Sequence, residues 1–163
     1  MAYSAIAVAN AFIELAVKDG KNLTPMKLQK LVFIANGWML GVEGKALVDN
    51  HFEVWRHGPV EPNLYHALKK YGGSAVKTKI TSWDVTEDGD FRTTTPVIPE
   101  KDSVAKGLMK VVWQAYGDMD AFTLSEITHL PDSPWSTIKE RKGFNALIPS
   151  NVIQNYYSNL SNQ

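Results

Sequence analysis

Hydrophobic residues recur at helical spacing along most of the chain, and the most apolar of these segments is LTPMKLQKLVFIANGWMLG, residues 23–41. Thr24 suits the N-cap of this helix, and Pro25 suits its first position because proline lacks an N–H that would have no partner there. Apolar side chains then fall on nearly every face, which in a folded protein indicates packing on several sides. We therefore predict that this segment is the central core helix and that it ends near Gly41.

Start and stop signals predict helices on both sides of the core helix. Thr123 and Glu126 match a capping box, and Phe122 and Ile127 stand where a hydrophobic staple places its two members. The polar end of the chain, residues 161–163, is predicted to fray. The other predicted helices run from Ser4 to Gly20, from Pro62 to Gly72, from Val104 to Gly117, from Ser133 to Gly143 and from Ser150 to Leu160.

Two segments change to a strand pattern. The stretch HFEVW alternates, with Phe52 and Val54 on one side of a strand, and HGPVEP then turns the chain. Residues 76–98 form a second β segment, in which Asp88-Gly89 predicts a hairpin with a type I′ turn because both residues tolerate positive φ. These strands predict one small sheet of about three strands. The predicted fold class is therefore α+β, a mainly α-helical domain with a small antiparallel β-sheet or hairpin.

The length and composition indicate one folded globular domain, which we place at residues 1–163. Hydrophobic residues make up 44% and charged residues 21% of the chain, a balance typical of a protein that buries a core. The absence of cysteine excludes disulfides, thiolate metal ligands and Cys nucleophiles. The N-terminus lacks the pattern of a signal peptide, and no stretch approaches the ~20 apolar residues of a membrane span. We therefore expect a soluble, cytoplasmic protein without a membrane partner.

The charge balance argues against nucleic acid as the partner. Lys and Arg together number 17, as do Asp and Glu, so the formal net charge is zero. Proteins that bind DNA or RNA usually carry a positive excess, because the phosphates that they neutralise supply much of the affinity. A basic stripe on one helix would be needed for the alternative interpretation, a DNA-binding autoregulator.

None of the chemical candidates forms a recognised catalytic or metal pattern. The four histidines have neither an HExxH pair nor an i, i+4 partner on one helix, so we expect no metal site and no cofactor. Ser125 and His129 are four residues apart and could meet on a helix, but no GxSxG motif accompanies them. We therefore predict that the protein is not an enzyme, and we retain a site around Ser125, His129 and His57 as the catalytic alternative.

Lysine and tryptophan residues supply the remaining candidates for interaction. Lys27 and Lys30 are three residues apart and hence adjacent on the core helix, where they form either a solvated stripe or the charged rim of an interaction surface. The chain has five tryptophans, the residue type most enriched at binding hot spots. We expect Trp38 and Trp113 in the core, and the pattern leaves the positions of Trp55 and Trp135 open.

Three blocks, taken in order, resemble the Panacea-domain antitoxins, a SocA-like and phage-associated family. The blocks are LTPMKLQKLVFIANGWML, FEVWRHGPVEPNLYHALKKYG and VVWQAYGDMDAFTLSEITHLPDSPW, and the resemblance covers about residues 5–142. Residues 77–101 and the end after Gly143 match nothing diagnostic of the family. The positions that carry the family pattern are Leu23, Thr24, Lys27, Leu28, Gln29, Lys30, Trp55, Gly58, Pro59, Val60, Pro62, Tyr65, Leu124, Ser125, Thr128, His129 and Trp135.

The resemblance implies an antitoxin that is encoded beside a toxin, often on a prophage or another mobile element. It implies a shared, mainly helical core with a small β element, paired with toxins of unrelated kinds. Most members are expected to bind the toxin directly, whereas at least one type acts as an adaptor that delivers its toxin to a ClpXP-like protease. No catalytic residue is established for the family. We predict stoichiometric binding of a cognate protein toxin, with proteolytic delivery as the alternative, and homo-oligomerisation is left open.

The predicted recognition surface lies where the start of the core helix meets the WRHGPVEP turn. The two prolines of the turn restrict its backbone, so binding there would lose little loop entropy. We expect Lys27, Gln29 and Lys30 to reach solvent beside the turn, and the divergent segment 77–101 is the alternative surface. The predicted partner-contacting residues are Lys27, Gln29, Lys30, Trp55, Arg56, His57 and Pro59.

Overall fold

The computed structural model describes all residues of the chain, 1–163, and confirms the mainly helical α+β fold. No helix is both long and apolar enough to span a lipid bilayer. Ser161, which was predicted to fray, is the last residue of the final helix. The helices are α1 (Ala5–Lys18), α2 (Pro25–Glu43), α3 (Pro62–Leu68, continued by a 3₁₀ turn at Lys69–Tyr71), α4 (Ser103–Tyr116), α5 (Ala121–Thr128), α6 (Pro134–Lys142) and α7 (Ser150–Ser161). The strands are β1 (Phe52–Trp55), β2 (Gly58–Val60), β3 (Ser82–Val85), β4 (Phe91–Thr94) and β5 (Leu147–Ile148).

Helix α2 is the centre of the fold, as its all-round apolar pattern predicted. It packs against α1, α3, α4, α5, α7 and β2, and most of its side chains are buried. Thr24 caps its N-terminus by accepting a backbone N–H of the first turn at 3.4 Å. The helix ends at Glu43, two residues beyond Gly41, because Gly44 adopts the left-handed conformation, with φ of 69°, that terminates a helix.

The contact between α2 and α7 depends on two glycines of α2. A Cβ on Gly37 would lie 2.2 Å from the ring of Tyr157, and a Cβ on Gly41 would lie 2.7 Å from the Tyr157 backbone. Side chains this close are not tolerated, so the glycines allow the backbone of α7 to approach α2. Gly41, which the sequence suggested as a helix end, therefore lies within the last turn of α2 and allows close packing against α7.

Trp38 lies at the edge of this helix contact and is only half-buried, so the expectation that it belongs to the core was wrong. Its ring meets the edge of Tyr157 with the ring centroids 5.2 Å apart. Its indole N–H donates to the half-buried Tyr116 hydroxyl at 3.0 Å. The polar end of an indole needs such an acceptor, and here the acceptor lies near the surface. Trp113, by contrast, is buried as expected.

Strands β2, β1 and β5 form an antiparallel sheet in that order, and the predicted alternation of β1 is confirmed. Val54 pairs with Pro59 across the β1–β2 turn, and Phe52 pairs with Ile148 on the other edge. The side chains of Phe52 and Val54 are buried, whereas the two residues that alternate with them are partly exposed. The sheet therefore lies with one face on the helical core, and β2 contacts α2 and α5.

Strands β3 and β4 form a separate two-stranded hairpin, so the expectation of a single sheet was wrong. Most of their side chains are exposed, including the apolar Trp83, Val85 and Phe91, so the hairpin does not pack its apolar residues on the core sheet. The turn is also longer than a type I′ turn. Gly89 has φ of 85°, Asp88 has no positive φ, and the Thr86 N–H donates to the Asp90 carbonyl at 2.8 Å.

Helix α5 begins at Ala121, three residues before the start that a cap at Thr123 predicts. Asp120 is its N-cap, with a carboxylate oxygen that accepts the Thr123 N–H at 2.8 Å. An aspartate in this position also places a negative charge at the positive end of the helix dipole. Phe122 consequently lies in the first turn and is 70% exposed, so the predicted capping box and hydrophobic staple were wrong.

The close α2–α7 packing predicts a large difference between two Gly→Ala variants. Gly41→Ala should lower the free energy of unfolding by about 1–3 kcal/mol, because the added methyl group pushes α7 away from α2. Gly107→Ala on α4, where no atom lies within 4 Å of the added Cβ, should instead raise it by about 0.5–1 kcal/mol through helix propensity. Urea unfolding followed by tryptophan fluorescence measures both, and equal effects of the two substitutions would contradict this packing.

Candidate functional site

A cavity opens where the first turns of α2 meet the β1–β2 turn and α3, and we call it the α2–α3 cavity. Its volume is about 320 Å³. Its apolar wall includes Met26, Val60, Tyr65 and Leu68. Of the predicted partner-contacting residues, five line the cavity and two, Lys27 and Pro59, do not. The five are Gln29, Lys30, Trp55, Arg56 and His57.

Gln29 joins the core helix to the residue that follows β2. Its side-chain amide donates to the Glu61 carbonyl at 3.0 Å and accepts the Glu61 N–H at 3.1 Å. The Glu61 carboxylate in turn caps α3 by accepting the N–H groups of Asn63 at 3.1 Å and Leu64 at 2.7 Å. Burial raises the pKa of Glu61, and these two N–H groups oppose that rise. One buried glutamine therefore sets the position at which α3 begins.

Lys30 lies beneath the β1–β2 turn. It is 1% exposed, and its Nζ donates to the Pro59 carbonyl at 3.0 Å. No acidic side chain forms an ion pair with it, and burial lowers the pKa of Lys30 to about 7. Gly58 crosses directly over this side chain with φ of 119°, and an added Cβ would lie 2.8 Å from Lys30 Cε and 2.9 Å from Thr128 Oγ1. The lysine stem therefore supports the turn from below.

Lys27 points to another part of the molecule. Its Nζ donates to the Gly117 carbonyl at 2.5 Å and lies 5.8 Å from the centre of the Trp113 ring. Gly117 is the C-cap of α4, where a lysine amine also interacts favourably with the negative end of the helix dipole. Burial lowers the pKa of Lys27. This lysine therefore connects α2 to the end of α4 and takes no part in the α2–α3 cavity.

The expectation that Lys27, Gln29 and Lys30 reach solvent was therefore wrong. Their exposed fractions are 8%, 3% and 1%. Each side chain is buried with its polar end bonded to a backbone carbonyl from a distant part of the chain, which satisfies the rule that buried polar groups form hydrogen bonds. The spacing of residues along one helix does not show where those carbonyl groups lie.

The exposed residues at the mouth of the cavity are Met26, Arg56, His57 and Tyr65, which we call the turn face. Met26 was not among the predicted partner-contacting residues. An apolar residue in a mostly apolar helix is expected in the core, so the sequence pattern gave no sign that Met26 is exposed. Behind the turn face lies Trp55, half-buried, with its ring centroid 4.8 Å from that of Tyr65.

Trp55 has one polar group satisfied and one unsatisfied. Its backbone carbonyl accepts the indole N–H of Trp135 at 2.8 Å. Its own indole Nε1 is shielded from solvent and is the buried side-chain nitrogen that meets no acceptor. Buried donors are almost always paired in native proteins, so this enclosed indole N–H is an exception to the rule.

Ser125, His129 and His57, the residues of the alternative catalytic site, lie close together. Their hydrogen bonds, however, join side chains to backbone carbonyls rather than side chains to one another. The Ser125 hydroxyl donates to the His57 carbonyl at 2.8 Å. His129 Nδ1 donates to the Ser125 carbonyl at 2.5 Å, and its ring packs on Trp135 at 4.0 Å between centroids. The imidazole is thus bonded to the carbonyl of Ser125 rather than to its hydroxyl, and neither residue lines the α2–α3 cavity. No group of three or more His, Asp or Glu residues lies close enough to hold a metal ion.

The buried amine of Lys30 predicts a specific pH dependence of stability. In the folded protein the amine loses its proton near pH 7, whereas the unfolded lysine keeps it up to about pH 10.5. Between these values the unfolded state binds more protons, so the free energy of unfolding should rise with pH, at most by about 1.4 kcal/mol per pH unit. Lys30→Met should remove this rise. Urea unfolding of both proteins from pH 7 to pH 10 measures the difference in slope.

All other titrating groups, including Arg56, His57 and Glu61 around the same cavity, are common to the two proteins, so the comparison isolates Lys30 even if the variant has a lower absolute stability. Parallel curves for the wild type and Lys30→Met would contradict the assignment of a lowered pKa to this amine.

Comparison with known proteins finds similarity in the sequence segments that form this site. The family model described as "Antitoxin SocA-like, Panacea domain" matches residues 28–136. The chain is also 29% identical to antitoxin SocA of Caulobacter vibrioides (strain NA1000 / CB15N) over 139 residues, which cover 85% of this chain and 72% of that protein. No solved structure matches the chain. Since the family model covers more than half of the chain, including most of α2, the β1–β2 turn and α5, the protein belongs to the SocA-like antitoxin family with a Panacea domain.

Proposed function

We propose that this protein neutralises a cognate protein toxin by stoichiometric binding through the turn face. Membership of an antitoxin family supports the antitoxin role. One observation carries the choice of surface: within the residues that the family model matches, Gln29 and Lys30 form buried hydrogen bonds, whereas Arg56 and Tyr65 remain exposed around an apolar cavity. The first group holds the fold together, and the second is free to meet a partner.

The composition of the turn face supports binding to a protein. Arginine, tyrosine and methionine are enriched in protein interfaces, and hot spots cluster around well-packed pockets that exclude water. Tyr65 and Trp55 stack edge to face beside the cavity, and Arg56 forms no ion pair within the chain. The guanidinium group is therefore available to a carboxylate of the partner.

The backbone beneath the turn face is held at several points. The carbonyl groups of Trp55, His57 and Pro59 accept hydrogen bonds from the side chains of Trp135, Ser125 and Lys30 respectively. A loop that is already ordered loses little conformational entropy when it binds a partner. This supports recognition by a preformed surface rather than by folding on contact.

Because the turn face is exposed, substitutions there should weaken toxin binding without unfolding the protein. Arg56→Ala combined with Tyr65→Ala should weaken toxin binding by about 30-fold or more, the effect of removing roughly 2 kcal/mol at a hot spot. The thermal unfolding temperature should change little, since both side chains are exposed. Calorimetric titration with the purified toxin and co-expression in cells give the two readouts.

The matched control is Lys110→Ala with Phe122→Ala, which removes one exposed cation and one exposed aromatic ring away from the cavity. It should bind the toxin like the wild type. If the Arg56/Tyr65 variant protects cells fully and binds with unchanged affinity, the turn face is not the recognition site, and the β3–β4 hairpin with its exposed Trp83 and Phe91 becomes the better candidate.

Stoichiometric binding and proteolytic delivery differ in what happens to the toxin. Under the proposed mechanism, cellular toxin remains at the same level when the antitoxin is co-expressed, and the two proteins purify together as a complex of fixed ratio. Quantitative immunoblotting in strains with and without the ClpXP protease measures this. A toxin level that falls only when both the antitoxin and the protease are present would support the adaptor alternative instead.

A further inference from the structure

The β3–β4 hairpin extends from the core on a base that one buried side chain holds. Asn10 on α1 is 1% exposed; its side-chain oxygen accepts the Ile80 N–H at 2.6 Å, and its nitrogen donates to the Ile80 carbonyl at 2.9 Å. The same nitrogen donates to the Pro96 carbonyl at 2.9 Å. Ile80 precedes β3 and Pro96 follows β4, so Asn10 holds the entry and the exit of the hairpin together.

Beyond this base, one face of the hairpin is apolar and open to solvent. Trp83 and Val85 are two residues apart on β3, and Val85 pairs with Phe91 of β4, which places the three side chains on one face, the hairpin face. Their exposed fractions are 73%, 58% and 74%. The opposite face carries the ion pair of Asp84 and Arg92 at 3.1 Å. A two-stranded hairpin is marginally stable unless its apolar face is covered, so the hairpin face indicates a contact with another molecule.

The two ends of the hairpin carry charges of opposite sign. The tip has three carboxylates that form no ion pair within the chain, those of Glu87, Asp88 and Asp90. Lys77 and Lys79 are exposed at the base, just before β3, and Lys79 has only a solvent-exposed partner, Glu14, at 3.3 Å. A second copy in antiparallel orientation places its acidic tip against these lysines and its own lysines against the acidic tip. The hairpin is therefore complementary in charge to a second copy of itself.

The area of the hairpin face fits a weak contact between two copies rather than an obligate one. Since one aromatic side chain can bury about 150–250 Å², the three residues expose on the order of 400 Å² in each copy. A stable interface buries about 800 Å² in each partner, so the apolar contact supplies about half of that area, and the charges at tip and base surround it as a polar rim. The formal net charge of the chain is zero, so no long-range repulsion keeps two copies apart.

We propose that this protein forms a weak homodimer in which the hairpin faces of two copies pack on each other in antiparallel orientation about a two-fold axis. Trp83, Val85 and Phe91 of each copy are then covered by the same three residues of the other. This self-association goes beyond the proposed function and does not depend on it, because no residue of the hairpin face lines the α2–α3 cavity.

Sedimentation equilibrium of the full-length protein without the toxin tests the apolar contact. The average mass should rise from that of a monomer toward that of a dimer with increasing concentration, with a dissociation constant in the micromolar range. Phe91→Ser should raise this constant about tenfold or more, because the two-fold axis makes each substitution remove two rings from the contact. The matched control is Phe122→Ser on α5, which replaces a ring of similar exposure, 70%, and should leave the constant unchanged.

A charge exchange tests the antiparallel arrangement and does not rely on the apolar variant. Reversal of the tip, Glu87→Lys with Asp88→Lys, should weaken the dimer about tenfold or more, and so should reversal of the base, Lys77→Glu with Lys79→Glu. All four substitutions together have the formal net charge of the wild type and should restore its dissociation constant, since tip and base again carry opposite signs. These side chains are exposed, so the thermal unfolding temperature should change little in all three variants.

A wild-type protein that stays monomeric up to millimolar concentration would overturn the proposal, as would equal effects of Phe91→Ser and Phe122→Ser. A fourfold charge variant that dimerises no better than the tip or base variants would overturn the antiparallel arrangement. A monomeric wild type whose toxin binding is weakened by Phe91→Ser would assign the hairpin face to the toxin instead. Because the Arg56/Tyr65 variant tests the turn face separately, failure of either proposal leaves the other in place.

Discussion

The burial of polar side chains on α2 is the constraint from which the rest of the structure follows. A helix enclosed on all sides has no solvent for Lys27, Gln29 and Lys30, so each must reach a backbone carbonyl elsewhere. The acceptors are the end of α4, the residue after β2 and the middle of β2. These three bonds attach the end of α4 and the segment from β2 to the start of α3 to one helix. Removing any of them leaves a buried polar group unpaired, which costs more than the bond itself contributes.

This arrangement separates the roles of neighbouring residues in the β1–β2 turn. The buried amine of Lys30 and the hydroxyl of Ser125 hold the backbone of the turn, so the side chains of Arg56 and His57 project from a fixed platform. Within these few residues, the backbone is therefore held in place and the side chains are exposed to solvent. Such a surface suits a family of antitoxins, because the support beneath it does not depend on the identity of the exposed side chains.

Local signals predicted the helices well, because each end is set by residues nearby in sequence. Ser4, Thr24 and Ser133 cap their helices as predicted, and the alternation in β1 identified its buried face. Features set by distant residues were not predictable in this way. The acceptor for Lys30 lies 29 residues further along the chain, so helical periodicity alone suggested an exposed lysine. The start of α5 was misplaced for a different reason: Asp120 and Thr123 are both good caps, and the helix uses Asp120.

The tight crossing of Gly58 over Lys30 and Thr128 limits which positions of the β1–β2 turn can be substituted. Positions 56 and 57 can be randomised in a library, whereas position 58 tolerates no side chain, because any Cβ would meet both the lysine stem and the threonine hydroxyl. Natural variation of this turn meets the same boundary: the side chains can change as far as His57, and the next position must remain a glycine.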